Sequence, residues 1–192
     1  MLTRKKDEKI VLQAAVSCLF LTNVAFAHNV QLNQTLPSVT VQQDGELIAN
    51  GKKVDYRQWQ SSSLAGKVRV VHHLAGRSSV KEKNQPLMDA IKNAGFDRSK
   101  YQTTTIINAD DAIVATGAFV KNSAENGKLE NPHSQVILDQ TSSVKNAWKL
   151  KEKESFIAVL DKNGKVQFVS EGKLSDTQNQ QIIELVNRLI SQ

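Results

Sequence analysis

Cysteine is almost absent from this sequence of 192 residues, which contains only Cys18. Because one thiol cannot close an intramolecular disulfide or form a dithiol pair, both are excluded within a single chain. The sequence also lacks Cys and His residues at zinc-binding spacing, a Gly-rich phosphate loop and a Gly-x-Ser-x-Gly elbow. With none of these signatures present, we expect no cofactor and no metal centre.

Long apolar runs are also missing. The apolar segment at residues 10–24 is shorter than the roughly 20 residues that a membrane-spanning helix needs. Four basic residues precede it, and Ala25-Phe26-Ala27 follows it with the small-x-small pattern of a signal peptidase site. The sequence therefore predicts a secretory signal peptide over residues 1–27, with cleavage between Ala27 and His28. No membrane span is expected after cleavage.

Cys18 leaves an alternative open, because a cysteine after Ala15-Val16-Ser17 is compatible with lipid attachment in a lipoprotein. The apolar run continues beyond Cys18 to the site at Ala27, which favours removal of the whole segment. The processed chain would then contain no thiol. Thiol–disulfide exchange and cysteine-based peroxide reduction are therefore excluded for it, and packing alone must stabilise its fold.

The excess of basic residues is mild once the signal peptide is left out. Residues 1–27 carry four basic and two acidic groups, so their removal lowers the formal net charge from +6 to +4. The remaining chain shows no stripe of Lys and Arg with interleaved aromatic residues. Nucleic acid is therefore not expected as a partner.

Residues 28–192 predict one domain that contains both helices and strands. Apolar and β-branched runs indicate strands at residues 68–74, 101–108, 135–138, 156–161 and 166–169, and helical spacing indicates helices at residues 79–94, 115–121 and 175–190. Because helices separate the first three strands, these strands should pair in parallel. The dipeptide Asn163-Gly164 indicates an antiparallel hairpin between the last two. The expected fold class is α/β, with a central mixed sheet flanked by helices.

An N-terminal lead-in is predicted before the first long strand. Residues 28–60 are polar with short alternating runs, which is typical of a small antiparallel unit. Asp44-Gly45 and Asn50-Gly51 signal two tight turns within it. Trp59 and Leu64 are the candidates to pack this lead-in against the main sheet.

The first long helix carries three local signals. Ser79 and Glu82 have the spacing of a capping box, which predicts the start of the helix. Pro86 lacks a backbone donor and should kink the helix in mid-run. Gly95 follows the last apolar residue and should end it.

This order of elements resembles the thioredoxin-like fold. Residues 64–71, 75–86 and 159–166 resemble the active-site strand, the redox loop with its kinked helix, and the late hairpin of exported thiol oxidoreductases and peroxiredoxins. The resemblance places Ser78 and Lys81 at the two cysteine positions and Ser155 at the position of the usual cis-proline. Since a serine hydroxyl neither ionises near neutral pH nor forms a disulfide, the resemblance implies a fold without its redox chemistry.

A closer resemblance covers nearly the whole chain. Residues 73–84 (HLAGRSSVKEKN) and 101–113 (YQTTTIINADDAI), together with the late hairpin, are similar to the YtfJ family. Its members are exported proteins of Gram-negative bacteria with a thioredoxin-like fold. The resemblance implies a periplasmic location and assigns no activity and no catalytic residues.

The strongest candidate site is the turn at Arg77, Ser78 and Ser79, with Lys81 beside it. A guanidinium, hydroxyls and the backbone N–H groups of a helix start can together hold an anion. The alternative is that Ser79 only caps the helix and the charges face water. A functional edge here would bind a periplasmic partner protein or a small anionic ligand.

His73 extends this site in a second hypothesis. It lies near the end of a predicted strand, where an imidazole can act as an acid, a base or a ligand. With Arg77 and Ser78 it would form the edge of an enzyme that works without thiols. His72 and His73 should point to opposite faces of the sheet and so cannot easily share a metal ion.

Two further positions are weak candidates for metal binding. Cleavage would give His28 a free α-amino group, and an amine with an imidazole can chelate a copper ion, although no third ligand is evident. Asp110 and Asp111 are adjacent carboxylates without spaced partners. We expect neither position to hold a metal.

Overall fold

The strand Val68–Ala75, with three valines, lies near the middle of the sheet, and all eight of its residues are buried. Burial on both faces explains why its apolar residues do not alternate strictly with polar ones. The computed structural model describes residues 28–192. The predicted signal peptide and Cys18 lie outside the described residues.

The described chain contains seven strands and five α-helices. In chain order these are β1 (Thr40–Asn50), β2 (Lys53–Gln60), β3 (Val68–Ala75), α1 (Ser78–Lys83), α2 (Gln85–Ala94), β4 (Tyr101–Asn108), α3 (Gly117–Glu130), β5 (Gln135–Asp139), α4 (Ser143–Trp148), β6 (Ser155–Leu160), β7 (Val166–Glu171) and α5 (Asp176–Ile190). The strands form one sheet in the order β2-β1-β5-β4-β3-β6-β7. The β3–β4 and β4–β5 pairs are parallel, and the other pairs are antiparallel. The sheet is mixed, as predicted.

Helices cover both faces of the sheet. Val70 of β3 packs with Leu87 of α2 and with residues of α5. Its neighbour Val71 points the other way and packs with Trp148 of α4. Helix α3 lies on the same face as α2, where Ala124 packs with residues of β5. The face with α2, α3 and α5 carries the site described below.

The lead-in forms an antiparallel hairpin of β1 and β2, and Trp59 and Leu64 are buried as predicted. The turn predicted at Asp44-Gly45 is wrong, because β1 continues through it with a shift in register. Both residues have positive φ, and a Cβ atom on Gly45 would lie 2.3 Å from the carbonyl oxygen of Arg57. The dipeptide therefore forms a bulge inside a strand rather than a turn between strands.

The first long helix is divided into α1 and α2. It breaks at Asn84, and Pro86 lies in the first turn of α2, so the predicted interruption is present. The predicted capping box is wrong, because α1 begins at Ser78 with Arg77 as the N-cap residue and without a side-chain cap. Ser79 lies inside the first turn, two residues after the N-cap position. Gly95 ends α2 in the left-handed conformation, as predicted.

The second half of the chain contains more helix than the sequence pattern indicated. Helix α3 continues to Glu130, well beyond the predicted 115–121, and α4 was not predicted. Helix α4 has only six residues, which is too short for a periodic signal. The final helix was predicted, and it begins with a capping box of Ser175 and Gln178. Among residues 28–192, no helix is long and apolar enough to span a bilayer.

Candidate functional site

The candidate site begins where the chain leaves β3 and enters α1. The backbone N–H of Gly76 donates to the carbonyl oxygen of Asn108 at 2.8 Å, which joins this loop to the end of β4. A Cβ atom on Gly76 would lie 3.0 Å from that oxygen and 3.2 Å from Val120 of α3. The close approach explains the glycine and fixes the next residue, Arg77, whose Nε donates to the carbonyl oxygen of Asp111 at 2.8 Å.

The structure brings three of the predicted edge residues together. Arg77, Ser78 and Lys81 line one groove, whereas the exposed Ser79 does not. Ser78 and Lys81 are exposed, and their side chains form no hydrogen bond or ion pair with any residue between 28 and 192. We call Arg77, Ser78 and Lys81 the cationic edge. Neither of its charged side chains forms an ion pair within the described chain.

His73 does not join this edge. Its side chain points to the opposite face of the sheet, only 2% of its surface is exposed, and Nε2 has no hydrogen-bond partner within the described chain. Burial lowers the pKa of His73 to about 3, with smaller contributions from His72 and Lys145. His73 is therefore a neutral residue of the core, and the arrangement of His73 with Arg77 and Ser78 is not assembled.

His72 lies on the same face as the cationic edge and is hydrogen bonded to Ser155. Its Nε2 lies 3.0 Å from the hydroxyl oxygen of Ser155, and both side chains are buried. Burial lowers the pKa of His72 to about 4, so the ring is neutral near neutral pH. Alternation along the strand predicted that His72 and His73 face apart, but not which of them faces the site.

Asn84 completes this buried group at the break between α1 and α2. Its Nδ2 donates to the Ser155 oxygen at 2.8 Å and to the carbonyl oxygen of Gly172 at 3.0 Å. Its Oδ1 accepts from the backbone N–H of Leu174 at 2.9 Å. We call His72, Asn84 and Ser155 the Ser155 network. Asn84 was not predicted as a site residue, and its place before Pro86 was the only signal in the sequence.

An ion pair lies beside the Ser155 network. Lys83, the last residue of α1, contacts the carboxylate of Glu154 at 2.5 Å, and that carboxylate also accepts from the backbone N–H of Ser155 at 3.0 Å. Both residues adjoin members of the network in sequence. The pair therefore ties the end of α1 to the start of β6.

A groove of about 850 Å³ extends from the cationic edge between α2 and α3. Its floor includes Leu74 of β3 and Thr103, Thr105 and Ile107 of β4. These three β4 residues are only half-buried, although β4 is an interior strand of the sheet. The threonines of this interior strand are the sequence signal of an open floor. The groove was not predicted from them.

The loop before α3 and the first turn of α3 expose large apolar side chains at one end of this groove. Within residues 112–119, a segment without any charge, Ile113 is 57%, Val114 92% and Phe119 74% exposed. Ile113 and Phe119 also line the groove. We call residues 112–119 the apolar loop. It was not predicted as a site.

The weak metal candidates serve other contacts. The carboxylate of Asp110 accepts from the Ser142 hydroxyl at 2.7 Å, and that of Asp111 accepts from the backbone N–H of Lys153 at 2.6 Å. The ring of His28 is buried edge-on against Phe156, with centroids 5.4 Å apart. Over the part of the chain that the structure describes, no three His, Cys, Asp or Glu residues are grouped to hold a metal ion.

Comparison with solved structures places this site in a known fold. The chain is similar to a proposed protein disulfide isomerase from Bacteroides thetaiotaomicron, with a TM-score of 0.58 and 18% identity over 86% of this chain and 93% of the other. It is also similar to a thioredoxin-like superfamily protein, with a TM-score of 0.53 and 15% identity over 82% and 97% of the two chains. The fold is thioredoxin-like.

Sequence comparison identifies closer relatives. An uncharacterised protein of Haemophilus influenzae is 60% identical over 92% of this chain and 96% of its own length. The uncharacterised protein YtfJ of Escherichia coli K12 is 43% identical over the same shares of the two chains. The model of a family described as bacterial protein of unknown function, YtfJ_HI0045, matches residues 30–189. The chain therefore belongs to the YtfJ family.

Proposed function

We propose that this protein is exported, loses residues 1–27 and acts in the periplasm of a Gram-negative bacterium as a thioredoxin-like binding domain without redox activity. The proposal rests first on the lack of a thiol after cleavage, because the only cysteine, Cys18, lies in the segment that cleavage removes. Ser78 and Lys81 occupy the positions that resemble the two redox cysteines. Neither side chain can form the mixed disulfide on which thiol exchange depends.

The observation that carries this proposal is that the Ser155 network is buried and hydrogen bonded within itself. Ser155 is 1% exposed, and its oxygen is already hydrogen bonded to Asn84 and to His72. His72 is neutral near neutral pH because burial lowers its pKa. The position next to the redox loop therefore presents a satisfied hydrogen-bond group rather than a reactive one, and its role is to fix the loops around it.

The cationic edge supports binding as the activity. Arg77 uses Nε for the carbonyl oxygen of Asp111, while its two Nη atoms make no hydrogen bond to the rest of residues 28–192. A guanidinium with free Nη groups matches the geometry of a carboxylate or phosphate, and Lys81 adds a second positive charge. The ligand class is therefore a small anion or an acidic group on a partner protein.

Native mass spectrometry of protein from the periplasm of cells that express the full chain tests this proposal. We expect a polypeptide that begins at His28, together with a second species that carries a non-covalently bound ligand or protein. In Arg77→Gln the bound fraction should fall, and in Lys52→Gln, a change of the same charge in an exposed turn, it should not. A chain that keeps Cys18, with or without a lipid, would contradict the processing step. A ligand-free chain with hydroperoxide or insulin turnover would contradict the binding role.

A further inference from the structure

We propose that the groove between α2 and α3 binds a polypeptide segment in which adjacent apolar side chains lie next to a carboxylate, with the apolar side chains against the apolar loop and the carboxylate on Arg77. This inference rests on the proposed function as a binding domain and names its partner class. The groove extends beyond the cationic edge, because α3 and its preceding loop form one whole side of it.

The apolar loop supplies the first reason. Only four large apolar side chains are exposed between residues 28 and 192, and three of them lie in this one segment: Ile113, Val114 and Phe119. Exposed aliphatic and aromatic side chains clustered beside a concave surface are typical of a protein-binding site. Phe119 lies at the groove itself and is the natural hot spot of such a contact.

The charge of the groove supplies the second reason. Its lining includes four cationic residues, Arg77, Lys81, Lys92 and Arg98, and two acidic residues, Asp89 and Glu130. The carboxylates of Asp110 and Asp111, which precede the apolar loop, accept from Ser142 and from the Lys153 backbone and form no ion pair with Arg77 or Lys81. Arg77 and Lys81 therefore carry positive charge that is not part of an ion pair within residues 28–192. An acidic residue of the partner complements it.

The polar groups of the floor favour a polypeptide over an acyl chain or a flat membrane surface. The hydroxyls of Thr105 and Ser123 line the groove and form no hydrogen bond with another described residue. A peptide backbone needs such donors and acceptors along its length, because a buried amide without a hydrogen-bond partner is destabilising. An acyl chain would leave these hydroxyls unsatisfied, and a planar bilayer would not reach a floor that lies between two helices.

Selection from a phage-displayed random peptide library against protein purified from cells that express the full chain tests this proposal. We expect enriched peptides in which neighbouring Leu, Ile, Val or Phe residues lie next to Asp or Glu. The affinity of a synthesised enriched peptide should fall about tenfold or more with Phe119→Ser and with Arg77→Gln. Two matched controls should leave it unchanged: Leu32→Ser, at an exposed apolar residue outside the groove, and Lys52→Gln.

Three results would overturn the proposal. A selection that enriches nothing above the display background would show that the groove does not bind peptides. Peptides that bind Phe119→Ser and Arg77→Gln as well as the unchanged protein would place binding elsewhere, and the binding function itself would survive. Co-sedimentation with phosphatidylglycerol vesicles that Val114→Asp abolishes, without peptide binding, would assign the apolar loop to a membrane surface instead.

Discussion

Two adjacent regions of the same sheet face differ in how their polar groups are used. In the Ser155 network, Asn84 uses both donor bonds and its carbonyl oxygen in contacts to other residues. On the cationic edge, the side chains of Ser78 and Lys81 are exposed and form no hydrogen bond or ion pair with another described residue. The polar groups of the first region are buried and hydrogen bonded within the protein, whereas those of the second are free to bond to water or to a ligand. The difference indicates that the polar groups of the network serve stability and those of the edge serve recognition.

Titration of the buried histidines should produce the largest effect on stability. The folded-state pKa values of His72 and His73, about 4 and about 3, lie below the ordinary value of 6.5, so the folded state binds fewer protons than the unfolded state. Stability is therefore complete above pH 6.5 and falls as the pH is lowered toward 4. We expect a loss of about 1 kcal/mol per pH unit for each histidine, measured by urea unfolding. The loss should be smaller in His72→Gln, and an unchanged profile in that variant would remove His72 from the account.

Asn84→Ala should have the next largest effect. It removes the donors to Ser155 and Gly172 and leaves the backbone N–H of Leu174 without its acceptor in a buried site. The free energy of unfolding should fall by about 2–4 kcal/mol, because several buried polar groups lose partners at once. The measurement is equilibrium unfolding in urea. A loss below about 1 kcal/mol would mean that the network is not a stabilising unit.

Gly76→Ala tests the backbone that joins the two regions. The added methyl group would approach the Asn108 carbonyl and Val120 more closely than van der Waals contact allows, so neighbouring atoms must move. We expect a loss of about 1–2 kcal/mol in unfolding free energy, the range of an overpacked site. Because Arg77 is the residue that follows Gly76, the affinity of the cationic edge for its ligand should also change. Gly117→Ala is the control for the unfolding free energy alone, because nothing lies within 4 Å of that added atom.

Changes on the open side should have the smallest effect on stability. Lys81→Gln and Phe119→Ser alter exposed side chains without partners in the described chain, so each should change the unfolding free energy by no more than about 0.5 kcal/mol. Thermal and urea unfolding measure this directly. If Phe119→Ser destabilised the protein as much as Asn84→Ala, the apolar loop would be part of the core and not a recognition surface.

The elements with strong local signals could be predicted from the sequence. Three signals each depend on residues close together in the chain: the β-branched residues of β3, the Asn163-Gly164 turn between β6 and β7, and the capping box of Ser175 at the start of α5. The wrong predictions had local signals with two possible outcomes. A dipeptide such as Asp44-Gly45 supports a bulge as well as a turn, because both need positive φ.

The candidate site could be predicted only in part. Arg77 and Ser78 were found because they follow a strand at the start of a helix. The Ser155 network was not, because its contacts join residues 71 and 83 positions apart, and no periodicity encodes such pairing. The groove depends on the placement of α3 beside α2, which follows from the order of the strands in the sheet and not from any one segment.

Insulin reduction by protein purified from cells that express the full chain tests the central claim most directly. The account predicts that precipitation of insulin in the presence of dithiothreitol is no faster with this protein than without it, and that Cys18→Ser behaves identically. Turnover that rises with the concentration of the protein and disappears in Cys18→Ser would show that the single thiol is retained and active. That result would contradict a role in binding alone.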